Sequence, residues 1–133
     1  DYYASRGLGD VYKRQGEETL FALEHSHSRL SDYKVLQINL AHNLSQILKD
    51  EGRYQEALLY ATKAENLSIS GTEQFLLPEI EFSIAQILNH MQKKQESRMR
   101  IQSLIPYMRL IGKKEIADLA QEYLAENLIN DVN

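Results

Sequence analysis

The stretch Asn43-Leu-Ser-Gln-Ile-Leu48-Lys-Asp-Glu-Gly52-Arg-Tyr54-Gln-Glu-Ala57-Leu58 decides the fold. On its N-terminal side, Leu36, Leu40, Leu44, Ile47 and Leu48 recur at spacings of three and four, the apolar stripe of an amphipathic helix. Gly52 stands where such a helix stops, because the residue just past a helix often needs a positive φ. Tyr54, Ala57, Leu58, Ala61, Ala64 and Leu67 then form a second stripe, and Ile69–Thr72 reads as a loop. The stretch is therefore a helix–turn–helix hairpin.

The same texture continues outward. Leu77, Ile80, Ile84, Ile87, Leu88 and Met91 make a helix starting near Pro78, a residue suited to a first helical turn. Met99, Ile101, Leu104, Ile105 and Met108 make another, ending at Gly112, with Pro106 inside it at the loss of one backbone hydrogen bond. Ile116, Leu119, Ala120, Tyr123, Leu124 and Leu128 mark a last helix. Residues 2–14 and 17–31 read as one more antiparallel pair, so the expectation is seven helices and no strand. The chain of 133 residues holds only 6 Gly and 2 Pro, too little turn material for an all-β fold.

The hairpins are self-similar. Leu44-Ser-Gln-Ile-Leu48 returns as Ile84-Ala-Gln-Ile-Leu88, 40 residues on, with Glu56 and Ala57 matched by Glu96 and the small Ser97. Leu8-Gly9 with Gly16 lies 36 residues before Leu44-Ser45 with Gly52. Helix pairs at such a period imply an α-solenoid.

The segment Asn43-Leu44-Ser45…Leu48…Gly52-Arg-Tyr54-Gln-Glu56-Ala57-Leu58…Ala61…Ala64 resembles the tetratricopeptide repeat (TPR). Repeat 38–71 carries the pattern, repeat 78–111 replaces the turn Gly and Tyr with Gln92 and Lys94, and 2–35 is the third copy. The resemblance implies an all-α, right-handed α-solenoid of about three TPR-like hairpins plus a capping helix over 114–130, one domain over 1–133. Because Asp1 is not a Met, we read the chain as part of a longer one. Arg6–Gln15 resembles read-through peptides at the ends of sequence assemblies, so no functional residue is placed there.

Composition narrows the function classes. The net charge of −4 disfavours direct nucleic-acid binding, which relies on cations that neutralise phosphates. The most basic run, Lys93–Lys94 with Arg98 and Arg100, is interrupted by Glu96 and reads as a solvated helix face. Cysteine is absent, which removes disulfides and thiolate chemistry. No apolar run approaches the ~20 residues of a membrane span, and no leader-like segment is present, so a cytoplasmic location without membrane partners is the default expectation.

His25 and His27 are two apart, about 200° around a helix, and cannot chelate one metal from it. His42 and His90 lie on different helices without Cys or carboxylate at ligand spacing. There is no GxSxG turn or glycine-rich phosphate loop, and Glu17–Glu18 and Asp50–Glu51 read as helix-end carboxylates. The expectation is a non-enzyme with no cofactor, catalytic residue or metal site.

In the TPR family, particular positions of the first helix of each repeat line a concave groove. Here they are Asn39, His42, Gln46, Lys49 and Asp50, then Glu79, Phe82, Gln86, Asn89 and His90, with Asn43 at a carboxylate-clamp position. All but Phe82 are polar, and Asn and Gln amides both donate and accept, as gripping a peptide backbone requires. Gln46 and Gln86 are equivalent and form an expected amide ladder, with Phe82 as an apolar pocket or, alternatively, a packed core edge. Glu79, where the clamp has a Lys, disfavours a chaperone-tail binder.

The 40-residue spacing and the ending Tyr107-Met-Arg-Leu-Ile-Gly-Lys-Lys-Glu-Ile-Ala-Asp-Leu119 resemble the repeat domain of Gram-positive peptide-sensing helix-turn-helix regulators. That resemblance implies the sensory domain of a transcriptional regulator, with a peptide or protein ligand and homodimerisation. The alternative is a constitutive assembly scaffold. A regulator-type phosphatase would need an N-terminal bundle with a catalytic Gln. The apolar side of the last helix (Tyr123, Leu124, Leu128 and Ile129) has two readings, a cap or a dimer contact, with capping preferred.

Overall fold

A computed structural model describes residues 2–24, 30–71 and 74–129, and these are all-helical. The chain divides into two compact units, Asp1–Leu76 and Leu77–Asn133. The first holds α1 (Tyr2–Glu24), α2 (Leu30–Asp50) and α3 (Tyr54–Ser70). The second holds α4 (Leu77–His90), α5 (Lys94–Leu110) and α6 (Lys114–Leu124), which runs on into a single π-helical turn, Ala125–Ile129.

One turn geometry closes α2, α4 and α5. Gly52, Gln92 and Gly112 adopt φ of 78°, 64° and 84°. After each, the next residue's N–H bonds back to the carbonyl five positions earlier: Arg53 to Leu48, Lys93 to Leu88 and Lys113 to Met108. The left-handed residue's own N–H bonds to Lys49, Asn89 and Arg109 respectively, completing a Schellman motif each time. Gln92 carries a Cβ in this conformation, which costs an L-residue about 1–2 kcal/mol. Gln92→Gly should therefore raise stability by up to about 1 kcal/mol, and Gly52→Ala should lower it by about as much, read as opposite shifts of the urea midpoint.

Close helix crossing is achieved by the same two positions in both hairpins, with the hydroxyl exchanged. In the first unit Ser45 Oγ donates to the Ala57 carbonyl at 2.9 Å. In the second, Ser97, the counterpart of Ala57, donates to the carbonyl of Ala85, the counterpart of Ser45, at 2.6 Å. All four residues are fully buried. Around them the first core gathers Leu20, Ile38, Leu44, Leu48 and Ala61, and the second gathers Ile101, Met108, Ala117, Ala120 and Leu128.

The expected helix pair 2–14 and 17–31 is corrected. α1 is one helix through Tyr2–Glu24, and residues 25–29, with His25 and His27, lie outside the described residues. Gly16 does not end a helix. It is buried in mid-helix against α2, where an added Cβ would stand 2.4 Å from Leu44 Cδ1. The glycine is needed for close approach rather than for a positive φ.

α1 runs antiparallel to α2, with Gly9 beside Glu51 and Gly16 beside Leu44. Its side chains also reach α3: Lys13 pairs with Glu56 at 3.5 Å, Asp10 pairs with Arg53, and Glu17 accepts a hydrogen bond from the Tyr60 hydroxyl. That bond holds the Glu17 carboxyl below its ordinary 4.5, against partial burial and with help from Lys13. A lowered carboxylate contributes stability above its ordinary value and loses it as pH falls through the folded value. Glu17→Gln should therefore flatten the fall in urea midpoint between pH 7 and pH 3.5.

Two further expectations shift. The expected loop begins later, since α3 continues to Ser70; Thr72 lies outside the described residues. Leu124 and Leu128 are not an exposed apolar side: they are 5% and 0% exposed and belong to the second core. Arg98 Nε donates to the Leu128 carbonyl at 3.0 Å, fastening the π turn, while Asp118, Gln121, Glu122 and Glu126 face solvent. An apolar inner face and a polar outer one are what a capping element requires.

Candidate functional site

The sequence-derived candidates fall into two sets, one in each unit. On α2, Asn39, His42, Asn43, Gln46 and Lys49 are separated by one helical turn or less, so the helix brings them to one stripe. Asn43 is exposed and the other four are half-buried. Asn39 Nδ2 donates to the carbonyl of Val35, one turn back, at 3.0 Å. Asn39 also borders a cleft of about 170 Å³ with Val35, Ile38, Phe75 and Leu76, where Phe75 is 76% exposed. Burial lowers the Lys49 ammonium from its ordinary range, partly offset by the Asp50 charge. A half-desolvated cation of this kind favours an anionic or carbonyl-rich neighbour.

On α4, Glu79, Phe82, Gln86, Asn89 and His90 form the corresponding stripe, and much of it is occupied by packing. Lys113 Nζ binds the Glu79 carboxylate at 2.8 and 3.1 Å. Phe82 packs against the second core and meets Tyr123 of α6 edge-to-face, ring centroids 5.7 Å apart at 84°. Asn89 Nδ2 donates to the Tyr123 hydroxyl at 2.8 Å, while Asn89 Oδ1 is buried with no hydrogen-bond partner. Burial raises the Tyr123 phenol above its ordinary value, and the bond from Asn89 opposes the shift. Gln86 is half-buried and His90 exposed.

Sequence reasoning missed Lys113 and Tyr123, each of which closes over α4 from a position 34 residues along the chain. The one available signal was the charge match of Lys113 to Glu79. Among the described residues, no group of three or more His, Asp or Glu is placed to hold a metal ion. No helix among the described residues is long and apolar enough to cross a membrane. The chemistry on offer is hydrogen bonding by amides around small apolar clefts.

Comparison with known protein families gives no match. Comparison with curated proteins gives none, and comparison with solved structures gives none.

Proposed function

We propose that the chain is a TPR-like helical-repeat module that binds a peptide or protein segment, without catalytic activity of its own. The observation that carries this reading is a recurrence 40 residues apart: the same left-handed turn at Gly52 and Gln92, and the same serine-to-carbonyl bond across the hairpin. Repeated hairpins with small residues at the crossing are the building unit of solenoids, whose long faces serve as binding surfaces. The amides of Asn39, Asn43 and Gln46 on α2 and of Gln86 on α4 would meet the ligand's backbone.

Within that reading, the chain is the sensory part of a transcriptional regulator, and ligand binding shifts it between pre-existing conformations. The resemblance of Tyr107–Leu119 to such regulators supports this step. An in-frame helix-turn-helix upstream of Asp1 in the parent gene is its test. The packing of Glu79, Phe82 and Asn89 under Lys113 and Tyr123 favours a second reading, a constitutive scaffold whose α4 stripe is structural.

Gln46→Ala with Gln86→Ala should weaken binding of a cognate peptide at least about 10-fold, as loss of two hydrogen bonds implies. The urea midpoint should stay in place. Unchanged affinity in a calorimetric titration would remove these amides from the site.

A further inference from the structure

In the first unit, α1 fills the groove between α2 and α3. It crosses α2 at Gly9 and Gly16, and it engages Glu56 and Tyr60 of α3 through Lys13 and Glu17. Gln37, Ala41, Tyr60 and Ala64, which line that groove, are 4%, 0%, 6% and 0% exposed. Forty residues on, their counterparts are Leu77, Glu81, Arg100 and Leu104. In the second unit these same counterparts border an open groove of about 470 Å³ between α4 and α5. Met99 and Tyr107 stand along it, 60% and 38% exposed.

We propose that the α4–α5 groove docks an amphipathic helix of a partner protein, with a basic residue at position i, a small residue at i+3, an acidic residue at i+4 and Leu at i+7. This is the pattern by which α1 fills its own groove, through Lys13, Gly16, Glu17 and Leu20. The charges carry over. Glu96 occupies the position of Glu56, which receives Lys13, and is exposed. Arg100 occupies the position of Tyr60, which receives Glu17.

Arg100 binds Glu81 at 3.0 Å and keeps 35% of its side chain exposed. A guanidinium has five donors, so a second carboxylate can join the first. The small residue is required because the Leu44 side chain leaves no room for a Cβ at Gly16, and Ile84 is the counterpart of Leu44. Met99, Leu104 and Tyr107 supply the apolar bed for the Leu. This surface is separate from the amide stripes, so it stands or falls independently of them.

The test uses two stapled, fluorescein-labelled 16-residue helical peptides titrated with the full chain. The first carries Lys, Gly, Glu and Leu at i, i+3, i+4 and i+7, and the second has the Lys and Glu exchanged. The first peptide should bind saturably at one per chain. Glu96→Lys with Arg100→Glu should weaken it at least about 10-fold, since reversed charges face each other across the interface. The second peptide should recover binding to that charge-reversed chain. Met99→Asp, at an exposed position, should weaken both peptides and keeps the test decisive if the double variant fails to fold. Absence of saturable binding overturns the proposal, as does binding of the first peptide that survives both sets of substitutions. A concentration-dependent dimer that Met99→Asp abolishes in sedimentation assigns the groove to a second copy and also overturns it.

Discussion

Ala57→Leu should destabilise the first unit by about 3 kcal/mol, whereas exchanging Ser45 and Ala57 should change its stability by less than about 0.5 kcal/mol. Both expectations follow from one crossing point. Ala57 is 0% exposed, and its carbonyl receives Ser45 Oγ at 2.9 Å, so α2 and α3 approach with no space for a larger side chain. Added methylenes in a packed core cost about 1–3 kcal/mol through forced rotamers and backbone shifts. Separating the helices would also break the serine bond, worth about 1 kcal/mol.

The exchange Ser45→Ala with Ala57→Ser moves the hydroxyl to the other helix, the arrangement the second hairpin uses with Ala85 and Ser97. Ser45→Ala alone should cost about 1 kcal/mol, and adding Ala57→Ser should return most of it. Urea midpoints with unchanged slopes decide the matter. If Ala57→Leu left the midpoint in place, the crossing would be looser than described. If the exchange cost as much as Ser45→Ala, the two hydroxyl positions would not be equivalent.

This crossing also shows what a sequence can reveal of such a fold. The 40-residue echo is visible because helix periodicity, the turn residue and the small crossing pair are all local, each within a dozen residues of its partner. Gly52 and Gly112 announce their turns. Gln92 hides the third, because the left-handed conformation is imposed there by the bonds of Gln92 and Lys93 to Asn89 and Leu88 rather than by residue type. Gly16 misleads in the opposite direction, since a glycine can be required by a positive φ or by a close neighbour, and the sequence does not distinguish them.

The polar stripe of α2 follows from periodicity alone. What covers α4 does not, because Lys113 and Tyr123 come from a different helix and are placed by packing between elements. Leu124 and Leu128 likewise looked exposed, because only tertiary structure reveals that α5 lies over them.

Phe82→Ala should cost about 2–3 kcal/mol, the second largest effect expected. Full truncation of a buried Phe costs about 3–5 kcal/mol, and the figure is reduced here because Phe82 is half-buried. Part of the loss is the edge-to-face contact with Tyr123, worth about 0.5–1.5 kcal/mol beyond area. Tyr123→Phe keeps the ring and removes the hydroxyl that receives Asn89 Nδ2, so it should cost about 1 kcal/mol. The double variant Phe82→Ala with Tyr123→Phe should cost nearly the sum of the two, because the first loss is through the ring and the second through the hydroxyl.

The same substitutions bear on function. A Phe serving as a ligand pocket would tolerate Phe82→Leu in stability and lose affinity. A Phe packed between α4 and α6 would lose stability with Phe82→Leu and leave the affinity of the folded fraction unchanged. The edge-to-face contact favours the second outcome, and thermal unfolding alongside peptide titration of the Leu variant separates the two. An affinity loss without a stability loss would return Phe82 to the binding site and weaken the case that the α4 stripe is structural.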